Sequence, residues 1–199
     1  MLELPPAPIR ALVAISGPPG AGKSTLAEAL VARLNRDAAQ AALAPMDGFH
    51  LDNVLLRERG LESRKGAPET FDSTGFLRFV ERLGAETHVV LPRFDRASDV
   101  AVAGAAEIES KARIAVVEGN YLLLQDPPWD RLAPLWDLSV FLEVPEEELE
   151  RRLIRRWRDH GCDEATAKTR ALSNDIPNAR RVVSGSADAD IVIRSVPDP

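Results

Sequence analysis

The chain has 199 residues, with 25 Lys and Arg against 31 Asp and Glu, a formal charge of −6 at pH 7. Apolar residues make up 45% and charged residues 28%, which excludes long disorder and fibrous repeats. The acidic balance argues against a general nucleic-acid coat, the lone Cys162 cannot close an internal disulfide, and no run of eighteen apolar residues suggests membrane insertion. Met1–Pro8, acidic and proline-rich, does not read as a secretory leader, so a cytoplasmic chain folded as a single domain over 1–199 is expected.

Short apolar runs alternate with longer helical stretches, the pattern of an α/β fold with a mainly parallel sheet. Arg10–Ile15 is predicted as a strand buried on both faces, Gly17–Gly22 as a loop, and Lys23–Arg36 as a helix with Leu26, Leu30 and Leu34 on one face. Ala39–Met46 is expected as a second strand, although its alanines have poor β propensity. Residues 52–72 read as polar and irregular. Ser73 or Thr74 is expected to cap a helix that runs to Leu83 and stops at Gly84. His88–Leu91 follows as a strand, and Pro92–Gly104 as an exposed loop.

Arg113–Val117 and Asp137–Val144 are the next predicted strands. Pro145 opens a helix to His160, with three glutamates in its first turn and a stop at Gly161. A further helix is expected over Asp163–Leu172. Beyond it, Pro177 is expected to keep the polar stretch from being simple helix, and Ile191–Ile193 makes a final strand. No internal repeat is present.

Gly17-Pro18-Pro19-Gly20-Ala21-Gly22-Lys23-Ser24 matches the phosphate-loop pattern: glycine, any four, glycine-lysine-serine. Small residues let backbone N–H groups curl around phosphate oxygens, and the helix that follows adds its positive end. Lys23 is expected on the β- and γ-phosphates and Ser24 on Mg²⁺, with Thr25 completing the nucleotide-binding run. The loop sits between a predicted strand and a predicted helix, as this chemistry requires.

Such loops serve kinases, switches and motors, so a second site must decide. Met46-Asp47-Gly48-Phe49-His50 follows the second predicted strand, at the carboxyl end where α/β ligands collect. Asp47 there suits a base for a hydroxyl proton or a Mg²⁺ ligand, while an Asp-Gly turn with no ligand is the simpler alternative. Glu118, at the end of an apolar strand, suits the metal or its water, or else a solvated strand end.

Together these segments resemble the phosphoribulokinase, uridine kinase and pantothenate kinase family of P-loop kinases. The resemblance covers nearly the whole chain. It rests on the phosphate loop, Asp47-Gly48-Phe49, Arg64-Lys65-Gly66-Ala67-Pro68-Glu69-Thr70-Phe71-Asp72, Pro92-Arg93-Phe94-Asp95 and Glu118-Gly119. Phe94 stands where the family has tyrosine, which removes one hydroxyl. Within the family, the length and the Met46–His50 run are most similar to small bacterial fructose transport system kinases, a fructokinase-like branch.

The resemblance implies a three-layer P-loop kinase fold, with a mainly parallel five-stranded sheet, helices on both faces and a helical lid over about 146–180. It implies Asp47 as the catalytic aspartate, Glu118 as a carboxylate near Mg²⁺, and an acceptor pocket at Glu69, Phe94, Asp95 and Arg96. His50 and Tyr121 either line that pocket or pack. ATP and Mg²⁺ are the implied cofactors.

The helix after Pro145 carries five arginines. Glu147–Arg151 and Glu148–Arg152 are i,i+4 pairs that stabilise the helix itself. Arg155, Arg156 and Arg158 have no acid four residues before them, and Arg155 with Arg158 could converge on the phosphates as lid cations. The alternative is a solvated basic face favoured by the helix dipole. Asn174 and Asn178 suit a grip on polyol or amide groups, or equally a turn.

The leading expectation is an ATP-dependent phosphotransferase acting on an alcohol of a small metabolite, a sugar such as fructose. Pantothenate and nucleoside kinases are the alternatives. A GTPase-type switch predicts an asparagine-lysine-any-aspartate segment, which the sequence lacks. A nucleoside monophosphate kinase has an anionic acceptor and needs no base, so Asp47 speaks for an alcohol. The expected partner is a small molecule, not a nucleic acid, and the assembly is left open between monomer and homodimer.

Overall fold

The computed structural model describes residues 9–36 and 40–195. Met1–Pro8 and Ala39, the first residue of the expected second strand, lie outside the described residues. The strands are β1 (Ala11–Ser16), β2 (Ala41–Pro45), β3 (Val89–Asp95), β4 (Val100–Ile108), β5 (Ile114–Gly119), β6 (Leu138–Glu143) and β7 (Ile191–Arg194). The helices are α1 (Lys23–Arg36), α2 (Asn53–Glu58), α3 (Ser73–Ala85), α4 (Glu146–Asp159), α5 (Glu164–Arg170) and α6 (Ile176–Gly185).

Five strands form one sheet in the order β2-β5-β1-β6-β7, with every neighbouring pair parallel. Successive side chains on a strand point to opposite faces, so strands apolar at nearly every position need cover on both sides. Leu12, Ala14, Ala115 and Val117 pack on one face with Phe76, Leu77, Val80 and Leu83 of α3. Ile15 and Val116 pack on the other face with Ala27 of α1 and Leu149 and Leu153 of α4. The expected layered α/β architecture follows from these two cores. Phe76, Phe79, Val80 and Leu83 form the buried stripe of α3 at helical spacing, and burying each contributes about 1.5–3 kcal/mol.

The irregular stretch 52–72 contains α2, capped by Asp52, whose side chain accepts from Val54 N. The cap of α3 is Asp72, one residue before the expected Ser73: its carboxylate accepts from Gly75 N at 2.8 Å. The helix then runs through Gly84 to Ala85 instead of stopping there. Gly84 faces Leu12 at ordinary contact distance, so tertiary packing holds the last turn.

The largest departure is Pro92–Gly104, which is not a loop. β3 and β4 form a separate antiparallel hairpin with a register shift at Pro92, where the ladder lacks an N–H. Its alanine-rich second strand has mostly exposed side chains, so the apolar alternation that marks a half-buried strand is faint. Pro177 likewise does not end the helical run. A π turn, Ala171–Asp175, precedes it and places the proline at the start of α6, where its missing N–H is tolerated. No described helix is long and apolar enough to cross a membrane.

Candidate active site

The carboxyl ends of β1, β2 and β5 come together. Ile15 and Pro45 both stand opposite Glu118, so the phosphate loop, the Asp47 turn and Glu118 leave the sheet side by side. Within the loop Gly20 and Gly22 adopt φ of +81° and +91°, conformations that side chains disfavour. The glycines after the two acids serve a different purpose. A Cβ on Gly48 would overlap Pro92 O, and one on Gly119 would come within 2.6 Å of Met46. Each acid is therefore followed by a residue small enough for neighbouring segments to close around it.

Lys23 is buried at the start of α1, and its Nζ donates to Pro18 O at 2.8 Å. Burial lowers its ammonium pKa to about 8, opposed by the charges of Glu118 and Asp47 and assisted by Arg156. Glu118 is also buried, which pushes its carboxyl above the usual range, with Lys23 pulling it back and Asp47 adding to the rise. Its Oε2 accepts from Ser24 Oγ at 3.2 Å. Lys23, Ser24, Asp47 and Glu118 thus form one electrostatic unit.

Among the described residues no three His, Cys, Asp or Glu side chains make a metal cluster by themselves. A hydroxyl and two carboxylates beside a phosphate loop are nevertheless the donor set Mg²⁺ takes when phosphate oxygens and water complete its shell.

The acceptor side is assembled from distant segments. Asp47 Oδ2 accepts from Arg96 Nη2, on the hairpin tip, at 2.8 Å. His50 Nδ1 lies 2.8 Å from Asp47 O, and the half-buried ring packs at a tilt of 41° against both Phe71 (centroids 4.0 Å apart) and Phe94 (4.7 Å). Desolvation lowers the His50 pKa, so the ring is neutral near pH 7, Nδ1 donates to the carbonyl, and Nε2 remains an acceptor. Lys65 Nζ reaches Asn53 Oδ1 (2.6 Å) and Asp99 Oδ2 (2.9 Å) and lies 5.2 Å from the Phe94 ring centroid. Glu69 stands between Arg64 (3.3 Å) and Arg181 (3.2 Å), and Arg181 also pairs with Asp126 at 2.8 Å.

Several expected site residues have other work in the structure. Tyr121 is fully buried, and its hydroxyl donates to Gly66 O, so it supports the 64–71 segment from beneath. Asp95 is turned to its own loop, where it accepts from Ala97 N and Ser98 Oγ. Asn174 donates to Lys65 O at 2.8 Å, and Asn178, also buried, donates to Asn174 Oδ1 at 3.3 Å.

The arginines on α4 sort by helix face. Leu149, Arg152, Leu153 and Arg156 follow i, i+3, i+4, i+7 spacing, and this face packs on the phosphate loop: a Cβ on Gly20 would touch Leu153 and Leu149. Arg152 Nη1 donates to Gly20 O at 3.4 Å, and Arg156 is near enough to repel the Lys23 charge. Arg155 and Arg158 are not gathered at the loop. They are exposed and border a hollow at the carboxyl end of α4, where Arg158 pairs with Glu164 at 3.1 Å. The informative signal in the sequence is the position of each arginine relative to the buried leucines; an acid four residues earlier does not predict which face meets the loop.

The family model described as "Phosphoribulokinase / Uridine kinase family" matches residues 12–199. The chain is 35% identical to the protein YggC of Escherichia coli K12 across 92% of its own length and 77% of that protein. It is 33% identical to a Schizosaccharomyces pombe protein named a "putative uridine kinase", with 94% and 84% coverage. The crystal structure of a "putative fructose transport system kinase" from Silicibacter sp. TM1040 shares 49% identity at a TM-score of 0.91, covering 97% of this chain and 93% of that one. A phosphate loop and two carboxylates at adjoining strand ends agree with these likenesses: the chain belongs to the phosphoribulokinase/uridine kinase family and is a P-loop phosphotransferase acting on an alcohol.

Proposed function

We propose that the chain transfers the γ-phosphoryl group of ATP to a hydroxyl of a small sugar of the fructose type. The observation that carries this reading is the packing of the His50 ring against both Phe71 and Phe94. These rings spend contact area on one another, which disfavours a nucleobase stacked beside Asp47. Around Asp47 the site instead offers Arg96, the His50 ring and, beyond it, Lys65, groups suited to hydroxyls. The name of the Silicibacter relative supports the same acceptor class.

In this reading the backbone of 17–24 holds the phosphates, and Lys23 places charge on the β- and γ-phosphoryl oxygens. Arg152 and Arg156 approach the same charge from α4. Ser24 and Glu118, with Asp47 nearby, hold Mg²⁺, which supplies charge neutralisation when bound. Asp47 accepts the hydroxyl proton as the bond to phosphorus forms, and Arg96 orients its carboxylate.

The test is ADP formation from MgATP with fructose, other ketoses and aldoses, pantothenate and uridine as separate acceptors. Fructose-type sugars should give the highest kcat/KM. Preference for uridine or pantothenate overturns the sugar assignment and leaves the kinase assignment intact.

A further inference from the structure

A π turn separates α5 from α6: the N–H of Ile176 donates to Ala171 O, five residues back. Such wide turns give up regular helix geometry and are frequent at functional sites. Here the turn carries two consecutive polar side chains that reach different parts of the molecule. Asn174 Nδ2 donates to Lys65 O in the acceptor segment. Asp175 is 7% exposed and accepts from Trp157 Nε1 at 2.6 Å while pairing with Arg156 at 3.4 Å.

A carboxylate buried to that degree persists only with partners, and both partners here belong to α4. Arg156, part-exposed, is contacted on two sides, by Asp175 and by the Trp157 ring 5.6 Å away. The Trp157 ring is in turn covered by Arg170 at 4.8 Å. This guanidinium lies one helical turn beyond Arg152, whose Nη1 donates to Gly20 O, on the face of α4 that packs on the phosphate loop, and its charge reaches Lys23. One turn of backbone is therefore bonded to a cation of the phosphate side and to a carbonyl of the acceptor side.

Building on the kinase reading above, we infer that the turn Ala171–Asp175 couples the two halves of the site. Asp175 is a positioning residue that aims Arg156 at the triphosphate, and Asn174 is a positioning residue that ties the same turn to residues 64–71. Nucleotide binding on one side is thereby transmitted to the segment that shapes the acceptor pocket on the other.

Equilibrium binding of MgATP and MgADP to the full chain tests the first half. Asp175→Asn keeps an acceptor for Trp157 Nε1 but removes the ion pair. It and Arg156→Ala should each lose about tenfold in MgATP affinity, the scale of one charge-assisted hydrogen bond, with a smaller loss for MgADP, which lacks the γ-phosphate. The double variant should lose no more than Arg156→Ala alone, because Asp175 acts through Arg156. Asp175→Glu, which keeps the charge, should lose less than Asp175→Asn and serves in its place in the cycle if the asparagine variant does not fold. Additive losses, or equal losses for MgATP and MgADP, overturn the positioning role.

Backbone hydrogen exchange tests the second half. MgATP should slow exchange at 64–71 in the unaltered chain, and Asn174→Ala should abolish that response. No response in the unaltered chain, or a response that survives Asn174→Ala, overturns the coupling. Lys23→Ala separates the two levels. If it binds MgATP normally, the phosphate-loop reading itself falls; if it does not, while the cycle is additive, only the coupling falls.

Discussion

The two halves of the site are built in opposite ways. The phosphate half is eight consecutive residues, Gly17 to Ser24, hung between the central strand β1 and α1. Its binding groups are mostly backbone, and its geometry is set by local conformation. The proposed acceptor half gathers Asp47 and His50, Arg64 to Phe71, Phe94 to Asp99, and Arg181 from four separated segments. Its geometry depends on side chains holding one another, as in the Asp47–Arg96 and Glu69–Arg181 pairs. Local construction suits a ligand part that all members of a nucleotide class share. Dispersed construction lets the acceptor pocket change without disturbing the loop.

The sharpest way to break this comparison is Asp47→Asn, which removes the proposed base of the acceptor half and reaches the phosphate half only through the charge it shares with Lys23 and Glu118. Loss of a positioned general base should lower kcat by about 10²–10⁴-fold, far more than it changes MgATP affinity, as steady-state kinetics and calorimetry would show. Recovery of rate at high Mg²⁺ would instead make Asp47 chiefly a metal ligand and move it into the phosphate half.

A smaller effect separates the faces of α4. Arg152→Ala with Arg156→Ala should lower kcat/KM for ATP by about 10²-fold or more, the scale of removing preorganised charge from a transition state. Arg155→Ala with Arg158→Ala should change it by less than about twofold, because exposed charges remote from the reacting atoms contribute little. Equal effects from the two pairs would show that α4 presents a different face during turnover.

The phosphate half should also carry a pH signature. Burial lowers the Lys23 pKa to about 8, and a bound polyphosphate favours the charged ammonium. MgATP affinity should therefore fall as pH rises through about 8, by at most about tenfold per pH unit. Lys23→Arg, which stays charged, should flatten that dependence. An unaltered chain with constant affinity from pH 7 to 9.5 contradicts the assignment of Lys23.

The smallest expected effect is on stability. The Glu118 carboxyl is raised in the folded state, so its ionised form opposes folding. The stability it contributes is fully present below the unfolded carboxylate pKa and lost as pH rises through the folded value. Glu118→Gln should then raise Tm near pH 7 by about 2–4 °C while reducing Mg²⁺-dependent turnover. A lowered Tm would mean that the Ser24 hydrogen bond outweighs the buried charge.

Much of this protein is determined by the sequence alone. The phosphate loop and the alternation of apolar strands with amphipathic helices are local patterns, legible because each depends on neighbours within a few residues. Asp47 and Glu118 stand out instead through the family resemblance, a bare Asp-Gly turn and a solvated strand end being the local alternatives. The tertiary structure decided the rest. The hairpin β3–β4 was hidden because its alanine-rich, exposed strand carries little alternation, yet it delivers Arg96 to Asp47. Tyr121 and Asn178 resemble pocket residues in composition but are buried as supports, since a hydroxyl or amide is equally able to hold a backbone or side-chain partner. Arg152 and Arg156 were distinguished from Arg155 and Arg158 only by the face of α4 that packs on Gly20. Charge is written residue by residue in a sequence, whereas the direction a charge points is fixed by which apolar neighbours its helix buries.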